Sequence, residues 1–576
     1  MRILLLVTAF NGLTQRAWCA LREAGHDVGV LLATGERDMI EGVTAADPEL
    51  IVCPFLKDRV PQAVWQHWRT VIIHPGPPGD RGPSSLDWAI ADGARSWGVT
   101  ALQAVEEMDA GPIWASRTFA LPAAPPRKSS LYNGPVADAA MECIAEVVGK
   151  AQDLGFAPAE PPAAPPRALM RQADRAFDWG DPTEHILRKI RAADGAPGVR
   201  TEVGGLPVFA YDALPGLPRA GRPGQLLSRR QGAVLVGTGD GSIWLGHLRP
   251  ADSTHGRAGI KLPATTLLGT RLRGVPHSPL PPGSEPEHPG SYRQIRYRRN
   301  GAVGWLTFDF YNGAMAPGHS RRLLAALRHA AGQDTEVLVL RGGTDAFSNG
   351  IHLNVIEAAP DPASAAWASI RAINEVCREI IRCARQVVIA GYAGSAGAGG
   401  VMLGLGADIV AARDGIVLNP YYDMGLYGSE LHTFTLPRRV GANRAQQLID
   451  EKLPVSAARA RSIGLVDEVG PRHPDAYAEW LAALADRESN VRTARNRRQA
   501  KARRLAAERV PLEVYEAREL AEMSRDMYAD RSGFAAARHA FVRKVKPSET
   551  PARLLLGGAA PRPRASVLRP AVPVSA

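Results

Sequence analysis

Short apolar runs alternate with amphipathic segments over the first 155 residues: ILLLVTAF is followed by LTQRAWCALREAG, then DVGVLLAT, ELIVCPF, VPQAVWQHWR and TVIIH. Strands alternating with helices predict an α/β domain whose parallel sheet is covered on both faces. Ligands of such a sheet bind beyond the carboxyl ends of its strands. His74, which closes TVIIH, falls at that edge.

Periodicity stops at FAPAEPPAAPPRA, residues 156 to 168, which predicts a semi-rigid linker. DPTEHILRKIRAAD then predicts a helix capped by Asp181, with Pro182 in its first turn and Glu184 completing a capping box. LPVFAYDA, GAVLVGTGDGSIWLGHL and LPATTLL predict short strands of a small β-barrel-like subdomain. Within it, Gly237 to Gly241 form a hairpin turn rather than a phosphate loop, because no helix follows. After VPHSPLPPGSEPEHPGS the alternation resumes with GAVGWLTFDF, a helix through SRRLLAALRHAA, EVLVLRGG, a long helix over about 364–384, and QVVIAGYAG. The expected domains are 1–155, 170–275 and 291–546, with a Pro/Ala/Arg-rich, poorly ordered tail over 547–576.

Composition narrows the class. No apolar run reaches the roughly 20 residues of a membrane span, and MRILLLVTAF reads as a buried strand rather than a secretory signal. The five cysteines are widely spaced and show no C-x-x-C, so neither a disulfide framework nor a zinc set is suggested, and a reducing cytoplasm fits. A net charge of +11 points to anionic partners, coenzyme phosphates among them. Much of it lies in RTARNRRQAKARR, either a solvated helix face or a phosphate- or partner-binding one.

Two stretches carry candidate chemistry. The β-like run GVTALQAV enters a loop holding Asp109, and a histidine and an aspartate from two strand ends can meet over the sheet edge, where the carboxylate fixes the imidazole and supports proton transfer. A strand-end histidine alone more often serves the fold. Further on, FSNGIHL and GYAGSAGAGGVMLGLGAD each follow a strand and open a helix, and such N-termini are natural anion holes.

HPGPPGDRG, with His74 and the Arg81-Gly82 pair, together with GVT…MDAGPI and RAFDWGDPTEHILRKIRAADGAPG, resembles the formyltransferases that use 10-formyltetrahydrofolate, over roughly residues 1 to 275. That implies a Rossmann-like fold, catalysis by His74 and Asp109, and a folate pocket bordered by Arg81 and Gly82. The family's third catalytic group, an Asn two residues before the His, is Ile72 here. Losing one oxyanion donor costs about 3 kcal/mol. Either another donor such as Asn11 replaces it, or the acceptor chemistry differs.

FSNGIHL, GAGGVMLGLGADIV and RRVGANRAQQLIDEKLPVSAARARSIGLVDEV resemble the crotonase (enoyl-CoA hydratase/isomerase) family, whose ββα superhelix is expected for the C-terminal domain. The resemblance implies oxyanion donors at the amides of Ile351 and Gly399, with Gly350 and Gly400 bordering a coenzyme A thioester. It also implies phosphate contacts from Arg543, Lys544 and Lys546. The two hydratase glutamate positions hold Met402 and Tyr421, so water addition to an enoyl thioester is not expected, and Asn354 stands where a lysine near the coenzyme is common. NPYYDMGLYGSE leaves Tyr421, Tyr422 and Glu430 as the polar groups bordering the hole.

A formyl-folate site and an acyl-CoA site on one chain suggest formyl-CoA as a shared intermediate. It has no α-carbon, so enolate chemistry is closed to it and hydrolysis or loss of carbon monoxide remains. The order of modules resembles the HypX/HoxX family of hydrogenase maturation factors. This implies 10-formyltetrahydrofolate and coenzyme A as cosubstrates, carbon monoxide as product, [NiFe] hydrogenase maturation proteins as partners, and neither nucleic acid nor membrane. No residue set suggests a metal site. Alternatives are a formyltransferase for another acceptor with formyl-CoA hydrolase activity, and a non-catalytic scaffold.

Overall fold

Ile3–Val7 is an unbroken apolar run buried on both faces, the pattern of a central strand in a covered sheet. In the computed structural model, which describes residues 1–218, 221–252, 259–281 and 290–557, this run belongs to strand β1 (Arg2–Val7) of a six-stranded sheet. With β2 (Asp27–Leu32), β3 (Leu50–Cys53), β4 (Thr70–His74), β5 (Ser96–Gln103) and β6 (Ile113–Ala120), its order is β2-β1-β3-β4-β5-β6. The first four strands are parallel, as the alternation predicts, but β5 runs antiparallel to both its neighbours, β4 and β6. A parallel return needs a crossover of a dozen or more residues, and only a short loop, 104–112, joins β5 to β6. His74 ends β4 opposite Thr100 of β5.

The Pro/Ala-rich stretch is not a free linker. Arg167 donates its amide to the Arg81 carbonyl at 2.9 Å, Ala159 bridges to Ile113, and Trp88 donates its indole N–H to the Ala168 carbonyl at 2.9 Å. Prolines forgo their own amide donors, so the segment docks extended and is tied down by its few non-proline groups.

An antiparallel sheet follows, ordered β7-β8-β11-β10-β9 over β7 (Val199–Val203), β8 (Leu206–Pro215), β9 (Leu226–Arg230), β10 (Ala233–Gly237) and β11 (Ser242–Pro250), with β12 (Leu262–Pro263) on β11. The helix Thr183–Ala192 packs Ile186 and Ile190 into its core. Its cap differs from the expected one. Asp181 instead accepts from the Asp178 amide, Glu184 pairs with Arg188, and the helix-end amide of Thr183 donates to Asp240 at 2.8 Å. Asp240 sits in the β10–β11 turn, so that turn supplies the missing acceptor.

The C-terminal segment from Lys546 also belongs to this first compact unit. Residues 547–557, expected as an irregular tail, are ordered. Thr550 Oγ1 accepts from the Leu32 amide at 2.9 Å, Lys546 pairs with Asp58 at 2.9 Å, and the Leu556 backbone lies where a Cβ on Gly29 would be. The remainder of that expected tail, 558–576, lies outside the described residues.

The second compact unit runs Arg293–Val545. Its larger sheet is ordered β13-β14-β15-β17-β19-β22 over β13 (Ile295–Asn300), β14 (Val303–Phe308), β15 (Val337–Arg341), β17 (Val387–Tyr392), β19 (Ile409–Arg413) and β22 (Glu468–Gly470). Alternation along β15 sends Leu338 and Leu340 into one core and Val337 and Val339 into another. A smaller sheet, β16-β18-β20-β21, is built from β16 (Ala346–Ser348), β18 (Ser395–Gly397), β20 (Val417–Asn419) and β21 (Val455–Ser456). The long helix, Pro362–Arg382, is capped by Asp361 and buries Ile373, Val376 and Ile380. The basic segment is the helix Val491–Ala506. Its Lys501 is buried against Asp408 at 3.2 Å, while Arg497 and Arg498 pair with Glu488 and Glu336. Among the described residues no helix is long and apolar enough to cross a membrane.

Candidate functional sites

At the end of β4 the imidazole of His74 is 5% exposed and lies between two carboxylates: Nε2 is 2.8 Å from Asp80 Oδ2, and Nδ1 is 3.5 Å from Asp109 Oδ1. Burial alone would lower its pKa, but the two aspartates outweigh burial and raise it to about 9. Asp109 is raised by burial and lowered further by His74, the Gly82 amide and Arg81, which leaves it below the usual carboxylate range. At this site neutral pH finds an imidazolium flanked by two anions.

The loop after β4 builds this arrangement. Gly76 is required because a Cβ there would collide with Asp80 Oδ2 and lie 2.6 Å from His74 Nε2. Gly82, at φ 96°, donates its amide to Asp109 Oδ2 at 3.2 Å. Arg81 pairs with Glu107 and donates to the Ala164 carbonyl at 3.2 Å. Both residues expected at the folate pocket hold this loop in place.

The sequence reading passed over Asp80, although it is the one acid in the quoted loop. The side chain of Asn11, the expected substitute for the missing asparagine, is engaged at both ends. Its side-chain oxygen caps the helix Gly12–Glu23 through Thr14, and its amide donates to Tyr132 at 3.3 Å. Ile72 shares a face of β4 with His74 by strand alternation and packs on the cluster around Leu4, Ile51 and Val64.

In the second unit, Gly350 (φ 73°) turns the chain out of β16, and its amide donates to Ser348 Oγ at 3.1 Å. Ile351 lies in a bridge to Met315, and the short helix starts at Leu353, slightly later than expected. A Cβ on Gly350 would be 3.3 Å from the Gly399 amide, so the two glycine turns are adjacent. The helix Gly399–Met402 begins after Ala398, which is held at φ 50°, a strained setting of the kind that clusters at functional sites. The amides of Ile351 and Gly399 have no hydrogen-bond partner among the described residues. A Cβ on Gly400 would collide with the Ser348 carbonyl, so glycine is required there as well.

Glu430 reaches this hole. A Cβ on Gly399 would collide with its Oε1, and its Oε2 accepts from the Ser429 amide at 3.1 Å, with Tyr421 Oη 3.5 Å away. Burial first and the nearby Glu519 second raise Glu430 to about 8. Burial and the same carboxylates push Tyr421 well above the usual phenol range. Met402 is buried in the apolar core. The structure thus brings Gly350, Ile351, Gly399, Gly400, Tyr421 and Glu430 together.

The expected phosphate contacts divide. Arg543 ends the helix Phe534–Arg543, which is tied through Arg538 to Glu357, on the helix after Ile351. Lys544 follows at φ 56°, its ammonium 4.4 Å from the Phe541 ring centroid. Lys546 is paired with Asp58 instead.

Comparison with known proteins agrees with this division. Residues 1–148 match the formyl transferase family, 169–258 its C-terminal domain, and 299–548 the enoyl-CoA hydratase/isomerase family. The fold and these family matches define a formyltransferase domain joined to a crotonase-like domain. The methionyl-tRNA formyltransferase of Trichlorobacter lovleyi is 28% identical over 253 residues, 42% of this chain and 76% of that one.

Two relatives match nearly end to end. Hydrogenase maturation factor HoxX of Bradyrhizobium diazoefficiens is 42% identical over 560 residues, 96% of each chain. The crystal structure of HypX from Aquifex aeolicus in complex with tetrahydrofolic acid superposes with a TM-score of 0.92 at 39% identity, covering 96% of this chain and 98% of that one. The chain belongs to the HypX/HoxX family of hydrogenase maturation factors.

Proposed function

We propose that the first unit transfers a formyl group from 10-formyltetrahydrofolate to the thiol of coenzyme A, and that the second converts the resulting formyl-CoA to carbon monoxide and free coenzyme A, for [NiFe] hydrogenase maturation. In the first step the thiol loses its proton, a C–S bond forms, and the C–N bond to the folate breaks as that nitrogen gains a proton. The His74 imidazolium can give a proton to the leaving nitrogen, the Asp109 carboxylate can take the proton of the thiol, and the positive charge of His74 offsets the donor missing at Ile72. The tetrahydrofolate bound to the Aquifex relative supports this assignment of the donor.

The observation that carries the second step is Glu430 packed on Gly399 beside two unpartnered amides. Amides of this kind polarise a thioester carbonyl, and the glycine turns that present them lie side by side, so the residues fit a bound thioester. Met402 and Tyr421 at the hydratase positions leave Glu430 as the carboxyl at the hole, with Tyr421 behind it. Decarbonylation breaks the C–S bond and removes the formyl hydrogen as a proton. The C–H electron pair stays on carbon as the lone pair of carbon monoxide, and one proton ends on sulfur.

The test is direct. Purified protein given 10-formyltetrahydrofolate and coenzyme A is expected to release carbon monoxide, read from the spectrum of reduced haemoglobin. Formate as the only product would make the second site a hydrolase. Neither product would favour a scaffold.

A further inference from the structure

Behind Glu430 lies a second buried carboxyl that the reaction above does not use. Glu519, from the helix Leu512–Tyr528, is fully buried. Its Oε1 accepts from the Thr433 amide at 2.7 Å and the Thr433 hydroxyl at 2.6 Å, and its Oε2 accepts from the Leu431 amide at 2.9 Å and lies 3.3 Å from the Ser429 hydroxyl. Burial raises Glu519 to about 7, but the Thr433 and Leu431 donors favour its charged form and keep it below Glu430, which stands at about 8.

Glu430 is served differently. Its Oε2 accepts from the Ser429 amide, and the single Tyr421 hydroxyl proton has a closer acceptor in the Ser429 carbonyl at 3.2 Å. Its Oε1, aimed at Gly399, accepts no hydrogen bond among the described residues. Both carboxyls are therefore bonded to Ser429, one through its amide and the other through its hydroxyl. Two such groups in a dry site do not ionise together.

The other groups packed around the pair leave the negative charge uncompensated. His432 has Nδ1 3.0 Å from the Ser429 carbonyl and 3.3 Å from Glu519, while its Nε2 is buried without a partner. It therefore carries one proton, on Nδ1, since an imidazolium would strand a buried N–H. Burial lowers its pKa to about 4, in agreement. Cys377, on the helix Pro362–Arg382, and Tyr427 are held protonated, chiefly by burial. Arg378 is committed to Glu516, and Asn374 links Ser429, Glu516 and the Glu430 amide.

Resting on the reading of the second site as a formyl-CoA decarbonylase, we infer that Glu519 is a positioning residue. As the more acidic member of the pair it keeps Glu430 in the acid form, with the proton on Oε1 facing Gly399, so that the reaction begins by protonating the thioester sulfur. The C–S bond then breaks with its electron pair on sulfur, and the Glu430 carboxylate so formed takes the formyl proton. Carbon monoxide leaves, and the starting acid is restored. Glu519 also holds the backbone, because Glu430 and Leu431 are consecutive residues at φ 61° and 57° and Glu519 binds the Leu431 amide.

Infrared titration of the full-length protein tests this without substrate. A carbonyl stretch from a protonated carboxyl is expected at pH 7, absent in Glu430→Gln, and present in Glu519→Gln only to a pH lower by about one unit or more. Turnover of formyl-CoA should lose its alkaline limb at a correspondingly lower pH in Glu519→Gln. Persistence of the band in Glu430→Gln overturns the inference, as does an unshifted midpoint in Glu519→Gln. If Glu519→Gln does not fold, the Glu430→Gln spectrum still decides which carboxyl holds the proton. Wild-type protein that shows the expected spectra yet releases no carbon monoxide from formyl-CoA would refute the decarbonylase reading and leave the proton's location standing.

Discussion

The imidazole of His74 and the carboxylate of Asp80 meet at 2.8 Å across the glycine at position 76. This contact occupies the ring nitrogen turned away from Asp109, so the charge on His74 is shared between two anions. Its raised pKa makes the site a source of pH dependence. The stability that His74⁺ contributes is complete below its ordinary value of 6.5 and is lost as the pH rises through about 9. Asp80→Asn removes one of the two anions. An NMR titration of the histidine ring is expected to place the wild-type midpoint near 9 and to lower it in Asp80→Asn by about one unit. An unchanged midpoint would remove Asp80 from the site.

His74→Ala is expected to stop formyl transfer from 10-formyltetrahydrofolate while turnover of supplied formyl-CoA continues. Assaying the two half-reactions separately checks this. Loss of both would contradict the division into two sites.

Gly399→Ala places a methyl group against Glu430 Oε1 and beside the unpartnered amide. Formyl-CoA turnover should fall about 100-fold, in line with the loss of an oxyanion donor. Formyl transfer by the first unit should be unaffected, and equal loss of both activities would argue against a local effect.

Asp240→Ala removes the acceptor of the Thr183 amide. The cost is about 1 kcal/mol, which corresponds to roughly five-fold faster local opening. Hydrogen exchange of the peptide covering the helix Thr183–Ala192 reads it directly. Unchanged exchange there would mean that the long-range cap contributes nothing.

Gly29→Val should displace the C-terminal segment, because any Cβ at Gly29 meets the Leu556 backbone. Trypsin is expected to cleave after Arg553 faster than in the wild type. Equal cleavage rates would show that the segment is not held at this point.

His74 and Asp109 were legible because strand ends can be read from periodicity, and because the wording around them is specific to a family. The glycine turns at Gly350 and Gly399 were legible for the same reason. Asp80, the strap at Arg167 and the cap from Asp240 were not, since each depends on a loop closing onto a distant segment and leaves no periodic trace. Glu519 is the extreme case, standing 90 residues beyond Ser429 on an ordinary-looking amphipathic helix. Ile72 signalled a departure from the formyltransferase pattern, but only the geometry showed a second carboxylate, Asp80, beside His74.

The return of the chain to Gly29 and Leu32 bears on how the protein can be dissected. A single cut between the two catalytic modules would not yield two whole pieces, because the N-terminal piece would lack the residues that cover the β2 edge of its sheet. Those residues would remain on the other fragment as an apolar end without a seat. The first unit can be produced alone only by also supplying 546–557, as a grafted extension or a separate peptide. Tight binding of that peptide to the truncated first unit would reconstitute the fold from two chains.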